Sequence, residues 1–297
     1  MQKIVIENKP SRQYDYVSYL VTKMPRLVTY RSKRAVARYL QKLQKSGKSK
    51  ENFGANCRFC VDYHVTDICG IKTYILNPKG KNTIVYLHGG AYVNTPTRHH
   101  MNFAGDIGKM TNCKVLVPYY PLAPFADVTQ AIKALVDFAT QQKDNFVLLG
   151  DSAGGGIVFS LLYKLEQLGL QDKVVCSVAL SPCLDFSIDG SEQVKDRMLS
   201  KRALWKIAKF WCGDLSPKDP LVSPARANFK TNIKALIIVG GREALKVDAQ
   251  EFLQNNFSHD ITYVEYINME HDFALYPVPE RSECLNRISK YILDNIK

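Results

Sequence analysis

No stretch of this sequence stays apolar for the roughly 18 residues that a bilayer-spanning helix needs. The best run, Val174–Leu184, is broken by Ser177, Ser181 and Pro182, so an integral membrane protein is not expected. The first ten residues, Met1-Gln-Lys-Ile-Val-Ile-Glu-Asn-Lys-Pro10, lack an apolar core of signal-peptide length, which argues against conventional secretion. Cysteine is too sparse for a disulfide scaffold, with eight in 297 residues at 57, 60, 69, 113, 176, 183, 212 and 284. Several lie in strand-like apolar runs such as Val174–Leu180 and read as reduced, buried small residues, which fits a cytoplasmic protein. Repeats and low-complexity tracts are missing too, and 46% hydrophobic with 23% charged residues is ordinary globular composition.

Acid is scarce at the start of the chain. Residues 1–50 hold 13 Lys+Arg against Glu7 and Asp15, whereas 51–297 hold 27 basic and 26 acidic residues. Nearly the whole net charge of +12 therefore sits in one N-terminal segment, and that shift marks a boundary. Residues 1–56 read as a helical segment and 57–297 as the main domain. Tyr16, Tyr19, Leu20, Lys23 and Met24 follow helical spacing, and Arg26–Lys45 reads as a basic amphipathic helix. A solvated face is the preferred reading of this charge, and nucleic acid is set aside as a partner. Contact with an anionic membrane surface is the alternative kept.

From residue 61 the rhythm changes. Strands are expected near 61–66, 71–77, 83–87, 114–119, 145–149, 174–180, 234–239 and 261–267. Helices are expected near 98–110, 126–141, 153–167, 200–212, 246–256 and 280–296. The alternation predicts an α/β fold with a mostly parallel, eight-stranded sheet flanked by helices. About fifty residues separate Leu180 from the strand at Lys234, too many for a plain loop, so residues 185–218 read as an insertion that covers something.

The chemistry is concentrated at strand ends. Phe146–Asp151 runs into Gly150-Asp151-Ser152-Ala153-Gly154 and then a helix, the strand–turn–helix context in which G-x-S-x-G exposes a nucleophile. Thr83–Leu87 ends in His88-Gly89-Gly90, where backbone N–H groups can turn inward to hold an oxyanion. Gly89 and Gly90 are the donors expected from that side and Ala153 from the other. His88 lies on the wrong side of Ser152 in chain order to be the base, and reads as structural. After Ser152 only His259 and His271 remain. His271 follows the strand at 261–267, at the end where a parallel sheet presents its site, and is preferred over His259. Glu243 is the first carboxylate after the strand at 234–239 and is the expected acid, with Asp248 the runner-up. Asp272, adjacent to His271, is expected to be poorly placed to accept from the same ring.

Cys57-x2-Cys60-x3-His64-x4-Cys69 is similar to a zinc knuckle, one residue short of the usual spacing. His64 belongs to the first expected strand and Cys69 to the following turn, so the hairpin would have to distort to gather them. No metal is expected.

Together these blocks resemble the hormone-sensitive-lipase family of α/β-hydrolases, which are serine carboxylesterases and lipases. The resemblance runs from about 61 to 290 through His88-Gly89-Gly90, Tyr120-Pro-Leu-Ala-Pro124, Gly150–Gly155, Asp219-Pro-Leu-Val-Ser-Pro224, Glu243, and His271 with Phe273. It implies a triad of Ser152, His271 and Glu243, an oxyanion hole, no cofactor, and a small-molecule ester substrate with compact acyl groups. It also implies a helical cap built from residues 1–56 and 185–218. Ala91 stands where the family usually has a third glycine, and Pro121 and Phe125 stand where it usually has arginine and glutamate, so the family's supporting ion-pair network is not expected here. A catalytically silent, ligand-binding relative is the alternative from another class. An amidase or peptidase would use the same triad.

Overall fold

The expected strands form where short β-branched runs lie between turn residues. The computed structural model describes residues 1–7, 9–23, 33–47, 59–187 and 196–296. Its strands are β1 (Gln2–Ile6), β2 (Tyr63–Ile68), β3 (Ile71–Leu76), β4 (Asn82–Leu87), β5 (Cys113–Pro118), β6 (Phe146–Asp151), β7 (Val174–Leu180), β8 (Lys234–Gly240) and β9 (Asp260–Tyr266). They make one sheet in the order β1-β9-β8-β7-β6-β4-β5-β3-β2. β2 and β3 form the expected hairpin, β3 pairs antiparallel with β5, and the other pairs are parallel.

The sheet thus has nine strands among the described residues, not eight. The extra one is β1, which pairs with β9 from Gln2↔Thr262 to Ile6↔Tyr266. The segment 1–56 therefore supplies a sheet edge as well as helices. β1 is half exposed and contains one lysine, so it lacks the clean alternation of a strand with one buried face. Its partner lies some 260 residues away, and local pattern carries no trace of that pairing.

Helices cover both faces. α1 (Arg12–Lys23), α3 (Arg98–Thr111) and α8 (Glu280–Asn295) pack on one, and α4 (Val128–Thr140), α5 (Ser152–Gln167) and α7 (Lys246–Asn255) on the other. The latter core also takes in α2 (Lys33–Ser46) and α6 (Lys201–Trp211), which pack together. In the central strands burial is complete: Leu236, Ile237, Ile238 and Val239 are each at most 1% exposed. Each such side chain contributes about 1.5–3 kcal/mol of transfer free energy.

α1 is helical as expected, but its inward face is Tyr14, Ser18 and Val21, while Tyr16, Tyr19 and Leu20 face outward. Tyr14 defines the face because its hydroxyl accepts the amide of Glu270 at 2.6 Å. That bond ties α1 to the loop after β9. The expected helix at Arg26–Lys45 is described from Lys33 onward, and residues 24–32 lie outside the described residues.

Cys57 of the knuckle-like pattern also lies outside the described residues. Cys60 Sγ turns to the carbonyl of Asn102 on α3, and Cys69 Sγ to that of Asp137 on α4. Those helices lie on opposite faces of the sheet, so the two thiols do not converge.

Candidate active site

The order β5-β4-β6-β7 places the chain's change of direction between β4 and β6, where open α/β sheets form their crevice. Register does the rest. Leu87 stands opposite Gly150, so the turn after β4 and the turn after β6 open side by side. Gly154 presses against the carbonyl of Leu87, and a Cβ there would overlap that backbone. A Cβ at Gly150 would meet Gly154 at 2.6 Å. These glycines allow close approach. The strained residue is Ser152 itself, at φ 50°, the left-handed region that non-glycine residues rarely occupy.

On the other side, Gly240 stands opposite Tyr266, which sets the loops after β8 and β9 together. Gly241 N–H donates to the Tyr266 carbonyl at 2.8 Å and Arg242 N–H to that of Met269 at 3.0 Å. These bonds deliver Glu243 and His271 to the same point. His271 Nε2 lies 2.9 Å from Ser152 Oγ, and His271 Nδ1 lies 2.6 Å from Glu243 Oε2. Glu243 is fully buried, and its Oε1 accepts the Gly240 N–H at 2.9 Å. Asp248 is instead buried on α7, where its charge bears on Cys183 and Tyr92. His259 sits at the opposite end of β9, with Nδ1 accepting the Ile233 N–H at 3.5 Å.

The oxyanion side differs from expectation in one residue. Gly89 N–H donates to Asp151 Oδ1 at 3.0 Å, which turns it away from the crevice. Gly90 follows at φ 126° and Ala91 at φ 56°, a tight turn that a third glycine would adopt without strain. Ala153 lies in the first turn of α5, where backbone N–H groups have no partner within the helix.

Behind the serine lies a network that sequence reading missed. Asp151 is fully buried and takes the Tyr86 hydroxyl, the Gly89 N–H, and His100 Nε2 at 3.2 Å. Burial works to raise its pKa, but His100, Tyr86 and Gly89 more than offset this and hold the carboxylate below its ordinary range. This set supports the turn. His88 is structural, as expected. Its Nδ1–H donates to the Gly89 carbonyl at 2.7 Å, the Tyr120 hydroxyl donates to its own carbonyl at 2.6 Å, and burial lowers its pKa to about 4.

Asp272 departs from expectation outright. Its Oδ2 lies 3.1 Å from His271 Nε2, on the same nitrogen that faces Ser152. Its backbone is left-handed, at φ 53° and ψ 32°, and this curls the side chain back over the preceding ring. Burial works to lower the His271 pKa, but the Asp272 and Glu243 carboxylates overcome it and hold the ring well above its ordinary value.

A small pocket beside His271 is walled by Tyr14, Ser18 and Val21 of α1 with Met198, Glu270 and Phe273. On the α6 side, Tyr92 packs on Trp211 of α6 at 4.4 Å and on Phe186 at 5.0 Å between ring centroids. Among the described residues no group of three or more His, Cys, Asp or Glu side chains could hold a metal ion, and no helix is long and apolar enough to cross a membrane.

A family model described as the alpha/beta hydrolase fold matches residues 84–275. The chain belongs to that family. The hydrolase is 27% identical to an esterase of Acinetobacter venetianus over 226 residues, covering 70% of this chain and 73% of the relative. It is also 27% identical to an acetyl-hydrolase of Streptomyces hygroscopicus over 206 residues, covering 65% and 69%. The crystal structure of an esterase from the bacterial hormone-sensitive lipase family superposes with a TM-score of 0.79 at 23% identity, covering 98% of the hydrolase and 100% of that chain. That likeness is one of fold.

Proposed function

We propose that this hydrolase is a serine carboxylesterase acting on short- to medium-chain acyl esters. The observation that carries the reading is His271 spanning Ser152 Oγ and Glu243 Oε2 with its two ring nitrogens. Ser152 attacks the ester carbonyl while His271 Nε2 takes its proton. Gly90, Ala91 and Ala153 N–H groups receive the charge on the carbonyl oxygen, with Ala91 in the place first given to Gly89. The tetrahedral intermediate collapses as His271 returns the proton to the leaving alcohol. Water, activated by the same nitrogen, then frees the acyl group from Ser152. Glu243 holds the ring in one tautomer and stabilises its charged form. The names of the relatives, an esterase and an acetyl-hydrolase, support ester substrates. The Tyr92–Phe186–Trp211 cluster beside the oxyanion turn supports compact acyl groups.

The deciding experiment is hydrolysis of p-nitrophenyl esters from acetate to palmitate by wild type and Ser152→Ala. Turnover on the shorter esters, abolished by the substitution, is expected. A folded wild type inert on the whole series overturns the esterase reading in favour of a silent ligand-binding relative or a peptidase.

The same reading assigns a surface to the cap. α2 and α6 pack side by side, and neither contains Asp or Glu. Arg34, Arg38, Lys42, Lys45 and Lys209 are exposed, a face suited to anionic lipid. Co-flotation with phosphatidylglycerol vesicles but not phosphatidylcholine vesicles, reversed by salt, is the expected result. Indifference to lipid charge would remove this part.

A further inference from the structure

We propose that Asp272 is a positioning residue that competes with Ser152 for the Nε2 side of His271 and so sets how readily the base comes free; this rests on the triad reading above. Two groups face one nitrogen. Ser152 Oγ is at 2.9 Å and Asp272 Oδ2 at 3.1 Å. A single Nε2 proton cannot satisfy both with linear hydrogen bonds.

The placement of Asp272 is built into the fold. Its left-handed backbone is held by its own N–H, which donates to Ser181 Oγ at 3.1 Å. Ser181 is fully buried, is itself at φ 47°, and donates its N–H to the Ile238 carbonyl at 2.6 Å. Two strained residues from different loops thus lock together next to the nucleophile. Such strain persists where surrounding structure over-determines it.

The Asp272 carboxylate also depends on the ring. Its side chain is 10% exposed, and Oδ1 is buried without a hydrogen-bond partner. Glu243 faces the pair across the ring, and Asp151 with Tyr86 and His100 faces it from behind Ser152. The neighbouring carboxylates add negative charge, so the imidazolium is the cation that stabilises Asp272. Burial raises the Asp272 carboxyl to about 6. The two groups therefore titrate as a unit.

The consequence is directional. While the ring is charged, Nε2–H points between Asp272 and Ser152 and cannot accept the serine proton. As pH rises the proton leaves to water, and the neutral Nε2 lone pair becomes available to Ser152. Asp272 delays that release to higher pH. In the acylation step the serine proton moves to Nε2, and Asp272 then helps Glu243 to stabilise the imidazolium until the leaving oxygen takes the proton.

The test pairs activity with a direct reading of the ring. The pH dependence of kcat/KM on p-nitrophenyl acetate and the 15N titration of the His271 ring nitrogens are measured in wild type, Asp272→Asn and Asp272→Glu. Asp272→Asn is expected to move both midpoints down by one unit or more. At the foot of the acid limb that gives about a tenfold gain in kcat/KM. Asp272→Glu is expected to restore part of the shift. Ser181→Ala, which frees the Asp272 amide, is expected to shift the ring midpoint in the same direction by less. Ring midpoints unmoved in a folded Asp272→Asn protein overturn the proposal. A ring that shifts in a protein without ester turnover supports it and removes the esterase reading instead.

Discussion

His100 Nε2 lies 3.2 Å from Asp151 Oδ2, directly behind the Ser152 turn. Asp151 is fully buried, and a buried carboxylate that loses its partner costs several kcal/mol. His100→Leu should therefore destabilise the fold by roughly 3 kcal/mol. Urea unfolding of the two single variants and of His100→Leu with Asp151→Asn gives the coupling. Additive losses would show that the pair does not interact.

Glu243→Gln keeps the shape of the acid but donates where the carboxylate accepts. His271 Nδ1–H would then face an N–H group, and the ring would favour the wrong tautomer. A loss in kcat on the order of 10³–10⁴ is expected, with a folded protein. A loss below tenfold in steady-state kinetics would take Glu243 out of the triad.

Ala91 at φ 56° invites the opposite experiment. Glycine adopts that conformation freely, whereas a Cβ costs roughly 1–2 kcal/mol there. Ala91→Gly should raise stability by about 1 kcal/mol and keep turnover within a few-fold, because the N–H remains. Calorimetry and ester assays on the pair check both halves. A destabilised variant would show that the Ala91 methyl packs better than the turn is strained.

Trp211 packs against Tyr92 at 4.4 Å between ring centroids, and is 1% exposed. Trp211→Ala should cost about 3–5 kcal/mol. It should also move the acyl-length optimum toward longer chains by opening space beside the turn after β4. An unchanged optimum in the p-nitrophenyl series would place the acyl group elsewhere.

His88 makes stability depend on acid. Folded, it stays neutral down to about pH 4, against an ordinary value of 6.5. Below 6.5 the unfolded chain takes up a proton that the folded chain refuses, so stability falls with pH and the loss is complete near 4. The full effect is roughly 3 kcal/mol. Wild type should lose most of that relative to His88→Asn between pH 7 and 4.5 in urea unfolding. Parallel pH dependences would mean that the buried ring is protonated with the fold intact.

The sequence shows the sheet's centre plainly because β4, β6, β7 and β8 are apolar runs with turn signals at both ends. The serine turn is legible for a local reason: glycine, serine and helix occupy neighbouring positions. His271 and Glu243 follow from the rule that loops after parallel strands share one edge. Gly89 misleads because its N–H is claimed by Asp151, whose own partners Tyr86 and His100 come from β4 and α3. Asp272 misleads because an adjacent residue reaches back over a ring only from a left-handed backbone, and its anchor, Ser181, is 91 residues away. β1 is hidden by both its half-exposed face and its distant partner.

That first strand has a consequence for how the protein is made. Gln2–Ile6 leaves the ribosome long before Asp260–Tyr266, its neighbour in the sheet. α1 waits with it, and Tyr14 receives the Glu270 amide only when that loop has been synthesised. A nascent chain thus carries Ser152 through more than a hundred further codons before His271 exists and its outer wall can close. Under the proposed mechanism, the unfinished polypeptide has no base with which to act on esters around it.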